Sequence, residues 1–139
     1  MKRLLVLTAT VIAALTGSSA MGGPPLGKEL LDLESHIKWS AVDGAWKSVR
    51  PGWVRTTAAC DEAACVAAQL ITLEENVKWS AVDKEWTVRR KGWVRDCHGA
   101  STDRDVAKLL LEFEENVRWR AVDEQWKSRR ESWVAELKG

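Results

Sequence analysis

The largest apolar side chains of this chain recur at helical spacing. Tryptophans stand seven residues apart within each of three segments, and the segments are offset by forty residues. The nine are Trp39, Trp46, Trp53, Trp79, Trp86, Trp93, Trp119, Trp126 and Trp133. Because seven residues make two helical turns, each trio predicts one stripe along the face of a helix. The forty-residue offset predicts one helical unit written three times.

The three units share more than tryptophan. Each contains Leu-(Leu/Ile)-x-(Leu/Phe)-Glu, followed by (Lys/Arg)-Trp-x-Ala-Val-Asp-x-x-Trp-x-x-x-Arg-x-x-Trp-Val. The third unit has no glycine or proline from Asp103 to Leu137, and Thr102 stands where it would cap a helix. In the first unit, Pro51 and Gly52 predict a kink or an early end.

These patterns predict an all-α fold of three long antiparallel helices, a three-helix bundle built from a 40-residue repeat. The chain has room for one domain, which we place at residues 28–139. The predicted units, called units one, two and three below, span 28–57, 61–97 and 101–138.

The N-terminal residues have the pattern of an export signal. Lys2 and Arg3 precede an apolar run that extends to about Leu15, and small residues follow up to Ala20. This order predicts a signal peptide over residues 1–20, followed by a flexible lead-in over residues 21–27. The run is short for a membrane span, although an uncleaved anchor is the alternative. We therefore expect a periplasmic or secreted protein with no stable membrane span after cleavage.

Charge argues against nucleic acid as a partner. The chain has 21 basic and 20 acidic residues. Removal of residues 1–20 takes Lys2 and Arg3 with it, so the exported chain would be close to neutral. Nucleic-acid binding depends on neutralising phosphates with an excess of basic side chains. We therefore expect no nucleic-acid partner.

Three cysteines are present, Cys60, Cys65 and Cys97. Export permits disulfides, and an odd number leaves one thiol unpaired within the chain. In one long helix Cys65 and Cys97 would lie at opposite ends, too far apart to be joined. The expected disulfide is therefore Cys60–Cys65, with Cys97 either free or joined to a second chain.

Each predicted tryptophan stripe also contains an aspartate and an arginine in fixed slots. The candidate binding residues of the three stripes are Trp39, Asp43, Trp46, Arg50, Trp53, Trp79, Asp83, Trp86, Arg90, Trp93, Trp119, Asp123, Trp126, Arg130 and Trp133. One interpretation is a packing seam, in which the aspartate accepts the indole N–H and pairs with an arginine of a neighbouring helix. The other is an exposed contact surface, since tryptophan and arginine are enriched at interface hot spots.

The stripe motif Asp-x-x-Trp-x-x-x-Arg-x-x-Trp resembles a helix of a small bacterial periplasmic family linked to lysozyme inhibition, whose motif is Gln-x-x-Trp-x-x-x-Arg-x-x-Cys. The resemblance covers about twelve residues per unit. Aspartate stands where that family has glutamine, and tryptophan stands where it has cysteine. The matching residues are Trp46, Arg50, Trp86, Arg90, Trp126 and Arg130. The resemblance implies a helical periplasmic protein with an inhibitory role.

Catalytic and metal-binding motifs do not stand out in the sequence. Cys97 and His98 are adjacent, but no second pair has metal-ligand spacing, and no glycine-rich phosphate loop is present. We expect no cofactor, no metal and no enzymatic activity. The leading hypothesis is an exported binding protein that acts by protein–protein contact through the stripes, as an inhibitor in one form. The alternatives are a structural or assembly protein, including a homo-oligomer, with the stripes as core, and a binder of a glycan or planar ligand.

Overall fold

A computed structural model describes residues 25–139. The predicted signal peptide at 1–20 and residues 21–24 of the lead-in lie outside the described residues. The described chain is all-α, as predicted. Its helices are α1 (Leu26–Ser35), α2 (Trp46–Ala59), α3 (Ala63–Asn76), α4 (Trp86–Gly99), α5 (Asp103–Glu115) and α6 (Glu124–Lys138). Short 3-10 turns precede α2, α4 and α6, at Trp39–Ala41, Trp79–Ala81 and Trp119–Ala121.

The prediction of three long helices is wrong, because each unit is a pair of helices separated by a turn. In unit one, Lys38 and Val42 flank the 3-10 turn in extended conformations. Val42 forms an antiparallel bridge with Val77 of unit two, and Ile37 forms one with Val122 of unit three. β-Branched residues favour extended backbone, so these positions interrupt the helix.

The neighbouring units supply the backbone hydrogen bonds that each turn gives up. The Lys38 amide donates to the Ala121 carbonyl at 2.8 Å, and the Asp43 amide donates to the Asn76 carbonyl at 2.9 Å. Equivalent bonds recur at the other two junctions. The turns are thus stabilised by contacts between units, which satisfy polar groups that would otherwise be left unpaired.

Pro51 does not end its helix. It lies inside α2, which continues to Ala59. The interruption in unit one falls upstream, in the turn shared by all three units, and not at the Pro51-Gly52 pair. A proline inside a helix removes one backbone donor, but this loss does not stop the helix here.

Within a unit the two helices are antiparallel, and the three hairpins close into a ring. The first helices, α1, α3 and α5, contact one another, and each second helix contacts the first helix of the next unit. The ring closes where α6 packs on α1. A close approach marks the ends of the unit-one hairpin: a side chain at Gly27 would meet the Thr57 carbonyl oxygen of α2 at 2.6 Å, so only glycine fits there.

The apolar core lies between the first helices and the second helices of the three units. Its large, fully buried members from the first helices are Leu30, Leu33, Leu70, Leu73, Val106, Leu110 and Phe113. A second, smaller cluster lies where the three turns meet, and it consists of Ala41, Ala81 and Ala121 packed against Ile37, Val77 and Val117. Three chain segments can approach this closely because alanine is small.

The two loops between units are held in different ways. A disulfide joins Cys60 and Cys65 across the α2–α3 loop, which is the pair expected from the sequence. At the start of α5, Asp105 occupies the position of Cys65. There the Thr102 hydroxyl accepts the Asp105 amide hydrogen at 3.1 Å, so Thr102 caps α5. The third cysteine, Cys97, is a buried free thiol.

Candidate functional site at the turns

The structure divides each predicted stripe into buried and exposed tryptophans. The middle and last tryptophans of every unit are buried, whereas the first is about half exposed. Trp39 is 54% exposed, Trp79 is 59% exposed and Trp119 is 52% exposed. The first tryptophan lies in the 3-10 turn, before the second helix begins. Only these three indoles therefore present large aromatic surface to solvent.

A buried glutamate organises the middle of each stripe. Glu34, near the end of α1, accepts the indole N–H of Trp46 at 3.0 Å. The guanidinium of Arg50 donates to both of its carboxylate oxygens, at 2.7 and 2.8 Å. The same geometry recurs around Glu114. This Glu–Trp–Arg triad satisfies a carboxylate that would be costly to bury alone.

The triad of unit two is less complete. Glu74 accepts from Trp86 and from Nε of Arg90, both through Oε2. Its other oxygen, Oε1, is buried and has no hydrogen-bond partner within the described residues. Unit two therefore holds its carboxylate through fewer bonds than units one and three.

The carboxylate that accepts the indole N–H is not the one predicted from the sequence. In the packing-seam interpretation, Asp43 would accept the Trp46 indole N–H and the arginines would pair with aspartates of neighbouring helices. Glu34 takes both roles inside one unit, and its hydrogen bond raises the pKa of Arg50 above its ordinary value. The glutamate of the shared Leu-(Leu/Ile)-x-(Leu/Phe)-Glu pattern was the available signal, because it is present in all three units.

The last tryptophan of each stripe joins one unit to the next. The Trp53 indole donates to the Gln69 carbonyl of α3 at 2.9 Å. Trp93 and Trp133 make the equivalent bonds, to Leu109 and to Glu29. Each also meets the middle tryptophan edge to face, with ring centroids 5.1 to 5.2 Å apart. These indoles are core residues that hold the ring together.

The three aspartates of the predicted stripes differ in their surroundings. The Asp123 carboxylate accepts from the Trp126 amide at 3.0 Å and so caps α6. It also lies 2.9 Å from Nδ1 of His36, across the seam between units three and one. Asp43 is exposed and Asp83 is partly buried. The stripes therefore do not present one uniform row of carboxylates.

The exposed tryptophans share a surface that we call the turn face, defined by residues 37–42, 77–82 and 117–122. The bridges between units and the alanine cluster bring these three segments together, where the three hairpins reverse direction. The charged residues of the turn face are Lys38, Lys78, Arg118 and Arg120, and its sequence includes no aspartate or glutamate. The turn face is thus both aromatic and cationic.

Cations from the second helices lie over two of the exposed rings. Nζ of Lys47 lies 5.6 Å from the Trp39 ring centroid, and Nζ of Lys127 lies 5.9 Å from the Trp119 ring centroid. The guanidinium carbons of Arg50 and Arg130 lie 6.0 Å from the centroids of the same two rings. Such contacts orient an indole without burying it. In unit two, Thr87 stands where the other units have lysine.

Similar clefts open beside two of the exposed rings. The cleft of unit one encloses about 240 Å³, and Trp39, Val42 and the triad of Glu34, Trp46 and Arg50 are among its lining residues. The cleft of unit three encloses about 380 Å³ and is lined by the equivalent tryptophan, valine, glutamate and arginine, with Asp83 contributed by unit two. Each cleft therefore combines an indole wall with a paired acid and base.

Metal-binding and membrane-spanning features are absent from the part of the chain that the structure describes. No group of three or more histidine, cysteine or acidic side chains there has metal-binding geometry. No helix there combines the length and apolar character needed to cross a membrane. The Cys97 thiol is buried, and burial, followed by the nearby charge of Asp96, raises its pKa to about 12.

Residues 65–118 match a family model described as a domain of unknown function (DUF8799). The match begins inside α3 and ends just after α5, so it contains nearly all of unit two and the first helix of unit three. No curated protein and no solved structure matches the chain.

Proposed function

We propose that this chain is an exported, non-enzymatic binding protein that acts by protein–protein contact through the turn face. The observation that carries the proposal is the exposure of Trp39, Trp79 and Trp119, while the other six tryptophans are core. An exposed indole with cations around it is typical of an interface hot spot. The fifteen candidate residues thus reduce to three principal contact residues.

Inhibition is the form of contact that the resemblance implies. The residues that carry the resemblance, such as Trp46 and Arg50, bind the buried Glu34. They therefore support a shared mode of packing more than a shared contact surface. An inhibitory role in this protein would rest on the exposed indoles, and a lysozyme activity assay with purified protein tests it directly.

A comparison of three proteins tests the contact proposal. An extract from the source cells would be passed over the immobilised exported chain, over a Trp39→Ala/Trp79→Ala/Trp119→Ala variant, and over a control. The control is Val49→Ala/Val88→Ala, which removes exposed apolar side chains that lie outside the turn face. We expect a protein that is retained by the wild type and the control but not by the tryptophan variant. Equal retention on all three columns would exclude the turn face as the contact surface.

Binding of a glycan or planar ligand is the second candidate, and the clefts beside Trp39 and Trp119 favour it. A flat indole next to a paired carboxylate and guanidinium suits a ring that carries hydroxyl groups. Titration with soluble glycans, followed by tryptophan emission, tests this candidate. A saturable change that disappears in Trp39→Ala/Trp119→Ala but persists in Trp79→Ala would favour the clefts over a protein contact.

A structural or assembly role is the third candidate, and the six core tryptophans favour it. Assembly of identical chains through the turn face would set four cations of one copy against four of another, which is unfavourable. A mass that rises with protein concentration, measured by light scattering, would support assembly through another surface.

A further inference from the structure

We propose that the partner of the turn face is an acidic protein surface. The inference rests on the proposed function and assigns the chemistry of the same site. Its basis is the separation of charge on the molecule. The chain as a whole is balanced, with a net charge of +1, yet the three turn segments together carry four cations and no carboxylate.

Three of the four cations of the turn face are exposed, whereas Arg118 is partly buried and its Nε donates to the Val82 carbonyl at 2.8 Å. Lys38 and Lys78 immediately precede two of the exposed tryptophans and are themselves exposed. In unit three Arg120 is exposed, and its guanidinium donates to the Ser80 carbonyl at 3.1 Å, so it lies across the boundary between units. Cations beside aromatic anchors raise the association rate with an acidic surface and oppose basic partners.

Carboxylates that border the turn face favour a protein over an anionic membrane. Glu75 and Glu115 are exposed and lie two residues before their turn segments, and Asp43 is exposed just after its own. A broad anionic lipid surface would meet these carboxylates as well as the cations. A protein patch of limited area can meet the cations alone. Insertion of Trp39 or Trp119 into a lipid layer would also bury the lysine that lies over its ring, which costs free energy.

The three contact points are not equivalent, which makes the inference more specific. Trp39 and Trp119 have a lysine over the ring and a cleft beside it, whereas unit two has Thr87 in place of that lysine. We expect the partner's acidic groups to lie near Trp39 and Trp119, where Lys47 and Lys127 lie over the rings. Trp79 should then contribute less to binding than either of the others.

Selection from a displayed library of random peptides tests the proposal, because such a library offers acidic, neutral and basic sequences alike. The library would be selected on the wild-type chain and counter-selected on Trp39→Ala/Trp79→Ala/Trp119→Ala. We expect the retained peptides to be rich in aspartate and glutamate. Their affinity should fall about tenfold between low and high salt, because exposed charges are screened.

Charge reversal provides the matched comparison. Lys38→Glu/Lys78→Glu reverses two charges on the turn face, and Lys91→Glu/Lys108→Glu reverses two exposed charges elsewhere. We expect the first variant to bind the selected peptides at least about tenfold more weakly and the second to bind them within about twofold of wild type. Thermal unfolding of both variants checks that each retains its fold.

The possible outcomes separate the two proposals. Peptides that need the tryptophans but are neutral or basic would overturn the acidic partner and leave the contact surface in place. Failure to obtain any tryptophan-dependent peptide would count against both. Vesicles of phosphatidylglycerol would be tested in parallel, with phosphatidylcholine as the control. Tryptophan-dependent binding to the anionic vesicles, with no acidic peptide selected, would replace the protein partner with a membrane surface.

Discussion

The first and middle tryptophans of each stripe differ sharply, although they are the same residue seven positions apart. Trp79 is more than half exposed, whereas Trp86 is fully buried and donates its indole N–H to Glu74. On one continuous helix the two would share a face and a similar environment. They differ because the turn and its extended flanks come between them. Periodicity predicts a shared face only while the helix is unbroken.

The difference also separates two uses of tryptophan in one repeat. The middle ring brings a large apolar surface and one polar N–H into the core, where a carboxylate accepts the hydrogen bond. The first ring keeps about half of its surface in water, and in units one and three cations lie over it. The first use contributes to stability, and the second leaves area available for a partner.

The largest expected effect is on stability, from loss of a middle tryptophan. Trp86→Ala should lower the free energy of unfolding by about 3 to 5 kcal/mol, because it opens a cavity beside Phe113 and leaves Glu74 with fewer donors. Trp79→Ala in the same unit should cost less than about 1 kcal/mol. Denaturant unfolding of both variants measures the contrast, and equal losses would contradict it.

The sequence was sufficient for the helical class but not for the helix boundaries. The forty-residue spacing and the apolar periodicity predicted helices from local pattern alone. The interruption between Ile37 and Val42 depends on partners in other units, since Val42 bridges Val77 and Ile37 bridges Val122. A run such as Trp-Ser-Ala-Val-Asp has no proline or glycine to end a helix. Tertiary pairing overrode the local preference.

The residues of the candidate site could be predicted from the sequence only in part. Helical periodicity identified the tryptophans and arginines but missed Glu34, because this residue lies on the preceding helix and meets Trp46 only after the chain reverses. The cationic turn face was visible in the sequence as Lys or Arg before each first tryptophan. Its significance depends on three segments meeting around Ala41 and its equivalents, which spacing along one unit does not show.

The next largest effect concerns the carboxylate that holds the middle ring. Glu114→Gln should lower the free energy of unfolding by about 2 to 3 kcal/mol, because it removes the charge that pairs with Arg130 and leaves a partly buried guanidinium uncompensated. Its neighbour Glu115 is exposed, so Glu115→Gln is a control of identical chemistry. A loss below about 0.5 kcal/mol in Glu114→Gln would show that the triad is not a major source of stability.

The seam that closes the ring predicts a pH dependence. Burial, followed by the hydrogen bond and negative charge of Glu136 on α6, raises the pKa of Glu29 from 4.5 to about 7, and Asp32 adds to the rise while Arg129 opposes it. A raised pKa in the folded state means that the folded protein binds the proton more tightly. The stability that this proton contributes is therefore complete below pH 4.5 and is lost as the pH rises through 7.

Across that pH range we expect the free energy of unfolding to fall by an amount on the order of 2 kcal/mol. Denaturant unfolding at several pH values measures this change. Glu29→Gln is the matched variant, because Gln69 occupies the equivalent position in unit two. The variant should lose most of this slope. An unchanged slope in Glu29→Gln would assign the pH dependence to other groups of the seam.

The smallest effect on stability should come from the three exposed rings together. Trp39→Phe/Trp79→Phe/Trp119→Phe should change the free energy of unfolding by less than about 1 kcal/mol, because half-exposed rings exchange one apolar surface for another. The same replacements should have a large effect on tryptophan emission, because they remove the three exposed indoles. In the wild type, iodide should quench a red-shifted component from these rings and spare a blue-shifted component from the six core indoles. The variant should retain only the protected component. Emission from the variant that is still readily quenched would mean that the core tryptophans are accessible to water, and the contrast between the two classes of ring would then fail.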